Sequence, residues 1–181
     1  MHKPMTEWGS GLRPVHDVSW KDITNDFLPW LNRRLGLSGV HGYRLLSGAE
    51  WEYCCRAGTK TAYSFGDMIT IQQAQFSEGV FGSADQSVVV GRFPSNACGL
   101  HDMHGNVWEW YQDVFQKNYA YAPDDGSAND FASKDQAVRR VIRGGSWLNP
   151  PKILRSGSRL RYQPDYRLDY CGCRLARTLN P

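Results

Sequence analysis

No stretch of this 181-residue chain approaches the roughly 20 consecutive apolar residues that cross a bilayer, and its start, Met1-His-Lys-Pro-Met-Thr-Glu, lacks the apolar centre of a secretory signal. The expectation is a protein with no membrane span, cytoplasmic by default. Cysteine is scarce and odd in number: five residues, with Cys54 and Cys55 adjacent and Cys171 and Cys173 two apart. That usage argues against a secreted disulfide framework. Also missing are a Gly-rich phosphate loop, a nucleophile elbow, and a Cys–His dyad at a credible spacing. Without them, nothing in the chain demands an enzyme.

What is present is aromatic and turn-forming. Seven Trp, nine Tyr and seven Phe are too many aromatics for disorder, and eighteen Gly with nine Pro imply a loop-rich globule. The length suits a single domain over 1–181 with its own core. Net charge is only +3, yet ten Lys or Arg meet just Asp165 and Asp169 between Arg139 and Arg177, a local balance of +8. Such a region attracts an anionic partner, or its Arg residues tie long loops through bidentate hydrogen bonds.

Local signals place a few elements. Ser19 reads as an N-cap, and Trp20, Ile23, Phe27, Trp30 and Leu31 follow at helical spacing. Pro29 predicts a kink or an early end. Ser47-Gly-Ala-Glu50 is a capping box opening a second helix that ends near Gly58. Val88–Val90 and 140–143 read as strands, 172–176 as the last strand, and 119–135 as a long polar loop.

The turn His104-Gly105-Asn106-Val107-Trp108-Glu109 offers carbonyl oxygens and one carboxylate, the hard donors that calcium takes; equally, Glu109 pairs with an Arg. His101 and His104 lack a further ligand at zinc spacing. Cys171 and Cys173 suit a soft metal such as copper(I), or are small buried hydrophobes. In the last forty residues a framework of Gly, Arg, Trp and Pro-Asp alternates with side chains of almost every chemistry, without hydrophobic period. These are Leu148, Lys152, Ile153, Ser158, Leu160, Tyr162, Gln163, Tyr166, Leu168, Asp169 and Tyr170. That pattern suits a displayed binding surface. Arg and Tyr interleaved over 159–167 fit a protein-binding hot spot or a nucleic-acid surface.

Several segments together resemble the formylglycine-generating enzyme (sulfatase-modifying factor) family: 43–53, Cys55-Arg-Ala-Gly58, 91–110 with its Asn-Val-Trp-Glu-Trp, Arg143-Gly-Gly-Ser-Trp147 and Gly172-Cys-Arg-Leu-Ala176. The resemblance runs from about Pro14 to Arg177. It implies an α+β, C-type-lectin-like fold with two helices, few short antiparallel strands and much irregular structure, here trimmed of the family's N-terminal strand region. It also implies a structural calcium at His104, Gly105, Val107 and Glu109, with Gln75-Phe76 the remnant of a second calcium site. The family's enzymes oxidise a substrate cysteine with two copper-holding cysteines; register puts Asn149 and Leu154 at those places, so no copper and no such activity are expected.

A subset of this fold serves as variable proteins of diversity-generating retroelements, rewritten at template adenines, and their framework is similar to 144–147, Arg155-Ser156, Arg159, Arg161, Pro164-Asp165, Arg167 and 172–176. Most intervening residues are reachable from an Asn codon by changing adenines; Lys152 and Gln163 are not, and Cys173 stands where an aromatic is usual. The resemblance implies a non-catalytic binder whose variable region is 143–177. Its contact residues would be Trp147, Leu148, Asn149, Pro150, Lys152, Ile153, Ser158, Leu160, Tyr162, Gln163, Tyr166, Leu168, Asp169 and Tyr170. The ligand would be a protein or other macromolecule, with oligomerisation open. The alternatives are a formylglycine-type or other thiol- and copper-dependent oxidoreductase using Cys171 and Cys173, and a basic-aromatic nucleic-acid binder.

Overall fold

The computed structural model describes residues 11–79, 86–131 and 138–179. Its first helix opens as predicted at Ser19: the hydroxyl accepts from the Asp22 N–H at 3.0 Å, and the Asp22 carboxylate accepts from the Ser19 N–H at 2.8 Å. Pro29 does not end the helix. A π-helical stretch, Asp22–Phe27, precedes the α-helical α1, Leu28–Arg34, and the Leu28 N–H reaches back to the Ile23 carbonyl. The wider turn carries the chain past a ring with no N–H to give.

Strand β1 is Tyr43–Leu45, and α2 is Gly48–Arg56, with the reciprocal Ser47–Glu50 box in place at 3.0 and 2.8 Å. Ala57, left-handed at φ 47°, stops it. Then come β2, Trp108–Val114; β3, Arg140–Arg143; β4, Leu160–Tyr162; β5, Cys171–Cys173; and β6, Leu175–Arg177. One sheet has the order β4-β3-β2-β5, with only the β2–β5 pair parallel; β1 and β6 form a separate antiparallel pair.

Two strand expectations fail. Val88–Val90 is not a strand, because the Asn106 side-chain amide takes both main-chain groups of Val88: Oδ1 accepts its N–H at 2.9 Å and Nδ2 donates to its carbonyl at 3.3 Å. The expected strand at 172–176 breaks at Arg174, so β5 and β6 serve different sheets. Of the polar loop, 119–131 is irregular, as expected, and 132–135 lies outside the described residues.

The core lies on both sides of β2. Trp108, Trp110, Ile142 and Cys171 pack with Ile23 and Leu45, while Trp51, Cys55, Met103, Tyr111 and Val141 form a second cluster under α2. A third cluster joins Tyr63, Phe76 and Leu154. Gly105, at φ 82°, lets the chain pass the Gln75 carbonyl where any Cβ would collide. Among the described residues no helix is long and apolar enough to cross a membrane.

Candidate functional site

The turn that enters β2 is built from backbone bonds to distant segments. Gly105 N–H donates to the Gly144 carbonyl at 2.8 Å, Asn106 N–H to Gln75 at 2.9 Å, and Trp147 N–H to Asn106 at 2.9 Å. This lattice brings the end of β3 and the start of 147–170 against the turn. Glu109 then points inward, and every lone-pair direction of its carboxylate is answered. Oε1 accepts from Arg174 Nε and Nη2 at 3.0 and 2.8 Å, and Oε2 from the Trp51 indole at 3.0 Å and from the Tyr111 hydroxyl. The Glu109 charge beside it raises the Arg174 guanidinium above its ordinary value, against the effect of burial.

The calcium expected of His104, Gly105, Val107 and Glu109 would have to draw on main-chain carbonyls and on a carboxylate that is already paired. The only carboxylate of the set is spent on Arg174, which realises the Arg pairing that the sequence left open. His104 is a buried nitrogen base: the Ser64 N–H donates to Nε2 at 3.1 Å, which leaves Nδ1–H to donate to the Leu154 carbonyl at 2.7 Å. Burial holds its pKa below the ordinary 6.5, so it is neutral there. Gln75, read as a remnant of another calcium site, gives its carbonyl to Asn106, and Phe76 is core. Among the described residues no group of three or more His, Cys, Asp or Glu is placed to hold a metal ion.

Neither place that the resemblance assigns to copper-holding cysteines carries a metal donor of that kind. Leu154 is fully buried against Gly105 and Gly145. Asn149 Oδ1 accepts from the Trp108 indole at 2.8 Å and from Ser146 N–H and Oγ at 3.0 and 2.9 Å. Burial pushes the Cys171 thiol well above its usual range and Cys173 up to about 12, so neither is a thiolate near neutral pH. Cys55, also driven up by burial to about 12, lies 3.5 Å from the Ser156 hydroxyl.

The residues expected to contact a ligand divide. Leu148, Pro150, Lys152, Leu160, Tyr166 and Asp169 are exposed; Trp147, Asn149, Ile153, Ser158, Tyr162, Gln163, Leu168 and Tyr170 are half-buried; none is buried. Tyr162, Tyr166 and Tyr170 gather, with the first two rings 6.2 Å apart and the hydroxyls of Tyr162 and Tyr170 at 3.5 Å. Asn149 is not free to bind, being committed to Trp108 and Ser146, and Ile153, Tyr162, Leu168 and Tyr170 also pack on the core.

The framework is not quite where the pattern put it. Arg155 is exposed and donates to the Lys152 carbonyl at 3.0 Å, Arg161 is exposed, and Asp165 stands 4.0 Å from Lys21 with both side chains more than half exposed. The ties are Arg143, which is 1% exposed and bonds Glu52 at 3.0 Å and the Ser156 carbonyl at 3.2 Å; Arg167, bidentate on Asp22 at 2.6 and 2.8 Å; and Arg174 on Glu109. Asp22 and Glu52 went unnoticed in the sequence, since neither belongs to the motifs around its partner.

Two helices, short strands and long irregular connections around this turn define the C-type-lectin-like fold of the formylglycine-generating-enzyme type. The sulfatase-modifying factor enzyme 1-like domain matches residues 3–179, and the chain belongs to that family. It is 34% identical over 141 residues to the formylglycine-generating enzyme of Mycobacterium tuberculosis, covering 70% of this chain and 45% of that protein. The structure of PvdO from Pseudomonas aeruginosa superposes with a TM-score of 0.81 at 37% identity, over 98% of this chain and 66% of that one. Treponema denticola variable protein 1 shares the fold, with a TM-score of 0.75 at 23% identity over 97% of this chain and 75% of that one. The chain thus spans less than half the length of the curated enzyme it matches.

Proposed function

We propose that this domain is a non-catalytic ligand-binding protein that displays a diversified surface over 143–177 on a formylglycine-generating-enzyme-type scaffold, as a retroelement variable protein does. The observation that carries the reading is the division within 147–170. Side chains of mixed chemistry are exposed or half-buried, while Ser146, Leu154, Ser156 and Gly172 between and beside them are buried. A surface can vary only where its residues answer to no packing rule, and most of these do not. The fold's occurrence in a protein named as variable supports the reading at the level of fold alone. The partner would be a protein or other macromolecule held by accessible Tyr side chains such as Tyr166, a residue type that supplies large contact area at low entropic cost.

The competing reading is a formylglycine-type oxidase, favoured by the 34% identity to the Mycobacterium enzyme. It would have to work with Asn149 and Leu154 where the family places its copper thiolates, or with two buried thiols. Copper(I) loading followed by oxygen uptake with a sulfatase-derived cysteine peptide separates the two; turnover would end the binder reading. The variable-protein reading has its own test in DNA. A near-repeat of the bases encoding 147–176, beside a reverse transcriptase and differing only at adenines, is the expected finding, and differences spread over all four bases would refute it.

A further inference from the structure

The Arg residues that anchor the framework are each matched by a carboxylate: Arg143 by Glu52, Arg167 by Asp22, Arg174 by Glu109 and Arg140 by Asp130. Arg159 and Arg161 break that pattern. Arg159 immediately precedes the edge strand β4 and Arg161 lies within it, with Leu160 between them. Both guanidiniums stack on the same ring: Cζ of Arg161 is 4.5 Å and that of Arg159 4.9 Å from the Phe115 centroid, and Arg159 lies also 4.2 Å from that of Tyr119. Arg159 Nη2 donates to the Lys117 carbonyl at 3.1 Å, so the main chain of a third cationic, exposed residue adjoins the pair. None of the three makes an ion pair among the described residues.

Stacking holds a guanidinium by its face and leaves its edge N–H groups to donate. Two guanidiniums over one ring, one of them bonded to the main chain of the exposed Lys117, gather positive charge that no carboxylate answers among the described residues, and an anion suits such a place. Against these three charges a carboxylate brings one negative charge, whereas a phosphate monoester brings up to two and several acceptor oxygens, and so offsets more of them. We propose that Arg159, Arg161 and Lys117, on the Phe115–Tyr119 platform, bind a phosphate group of a small phosphorylated ligand. The proposal deepens the displayed-surface reading by giving one corner of that surface a ligand class. It rests on that reading only through the shared segment.

The test is calorimetric titration of the full chain with inorganic pyrophosphate at low ionic strength, where screening over ~10 Å is incomplete. Saturable binding is expected, weakened about tenfold by Arg161→Gln and by Arg159→Gln, the loss of one charge-assisted contact. Arg155→Gln, an exposed cation outside the trio, should leave it unchanged. Phe115→Leu should weaken it while thermal unfolding stays cooperative, which separates the platform from the charges. No saturation, or an equal loss with Arg155→Gln, would overturn the site. Binding of a short single strand of thymidylate that the same variants abolish, with none of pyrophosphate, would overturn it in favour of a nucleic-acid surface. If the 147–170 face still recognises a macromolecule when pyrophosphate does not bind, this proposal falls alone; pyrophosphate binding by a face that recognises no macromolecule in its absence would sink the other alone.

Discussion

Arg174 and Arg161 carry the same guanidinium into opposite circumstances. Arg174 meets a carboxylate that also accepts from Trp51 and Tyr111, so its charge is neutralised where water is scarce. Arg161 lies against an aromatic face with its charge unanswered and its edge open to solvent. The comparison separates two regions that neighbour one another in the last third of the chain. One is a polar framework tied by paired charges, so that removing a partner leaves an orphan; the other is a face whose side chains are largely free of such ties.

The largest effect should come from the aromatic interior on which the framework rests. Trp51 and Trp110 are fully buried, and Trp110 also donates its indole N–H to the Val18 carbonyl at 3.0 Å. Truncation of either to Ala is expected to cost about 3–5 kcal/mol in chemical denaturation. A loss under about 1 kcal/mol would mean that this interior collapses around the gap and that the framework does not depend on it.

Next in size is Glu109→Gln. It leaves the Arg174 charge with no carboxylate, and about 3 kcal/mol of stability should go, the low end of the range for a broken buried pair because Arg174 keeps some solvent access. The variant also sharpens the choice between an ion pair and a calcium ligand. With the pair, chelator treatment of the unmodified protein leaves the melting temperature where it was. A fall on chelation, abolished in the variant, would return Glu109 to calcium.

Why the sequence revealed α2 but not this pairing follows from distance along the chain. The capping box is a conversation between Ser47 and Glu50, three residues apart, and it is visible to anyone reading locally. Strand β2 was hidden because Trp108, Glu109, Trp110 and Tyr111 are all buried, so no alternation marks it. The strands β1 and β4 are three residues each, too short for any period to show. Pro29 marked a helix irregularity, the π turn just before it; Val88–Val90 misled because a tertiary partner, the Asn106 amide, takes the main-chain groups that a strand would pair. At the candidate site, motif residues such as Arg143 and Glu109 stood out, but their partners did not: Arg167 finds Asp22 across 145 residues.

That pair sets a smaller, pH-dependent effect. Burial alone would raise the Asp22 carboxyl, but the bonds from Arg167 and the Ser19 amide outweigh it and hold its pKa below the ordinary 3.8. A depressed carboxylate contributes stability above its unfolded value and loses it as pH falls through the folded one. Unfolding free energy should therefore decline as pH drops below about 4. Arg167→Gln should flatten part of that decline while costing no more than about 1 kcal/mol at neutral pH, since Arg167 is half exposed. An unchanged acid slope in the variant would show that the contact does not persist in solution.

The smallest expected effect is the most informative about the displayed face. Leu148, Lys152, Leu160, Tyr166 and Asp169 are exposed, and Ala at any one of them should shift stability by no more than about 0.5 kcal/mol. Asn149 stands in the same segment and was expected among the contact residues, yet its side-chain oxygen accepts from Trp108 and from Ser146. Asn149→Ala would leave the Trp108 indole N–H unanswered beside the core, which costs about 1–3 kcal/mol. Equilibrium unfolding of the five surface variants beside Asn149→Ala tests the boundary at single-residue resolution. Equal losses throughout would put the whole segment in the framework and remove the ground for a variable surface. A clean step at Asn149 would mean that this residue holds the segment's backbone in place while its exposed neighbours remain free to change.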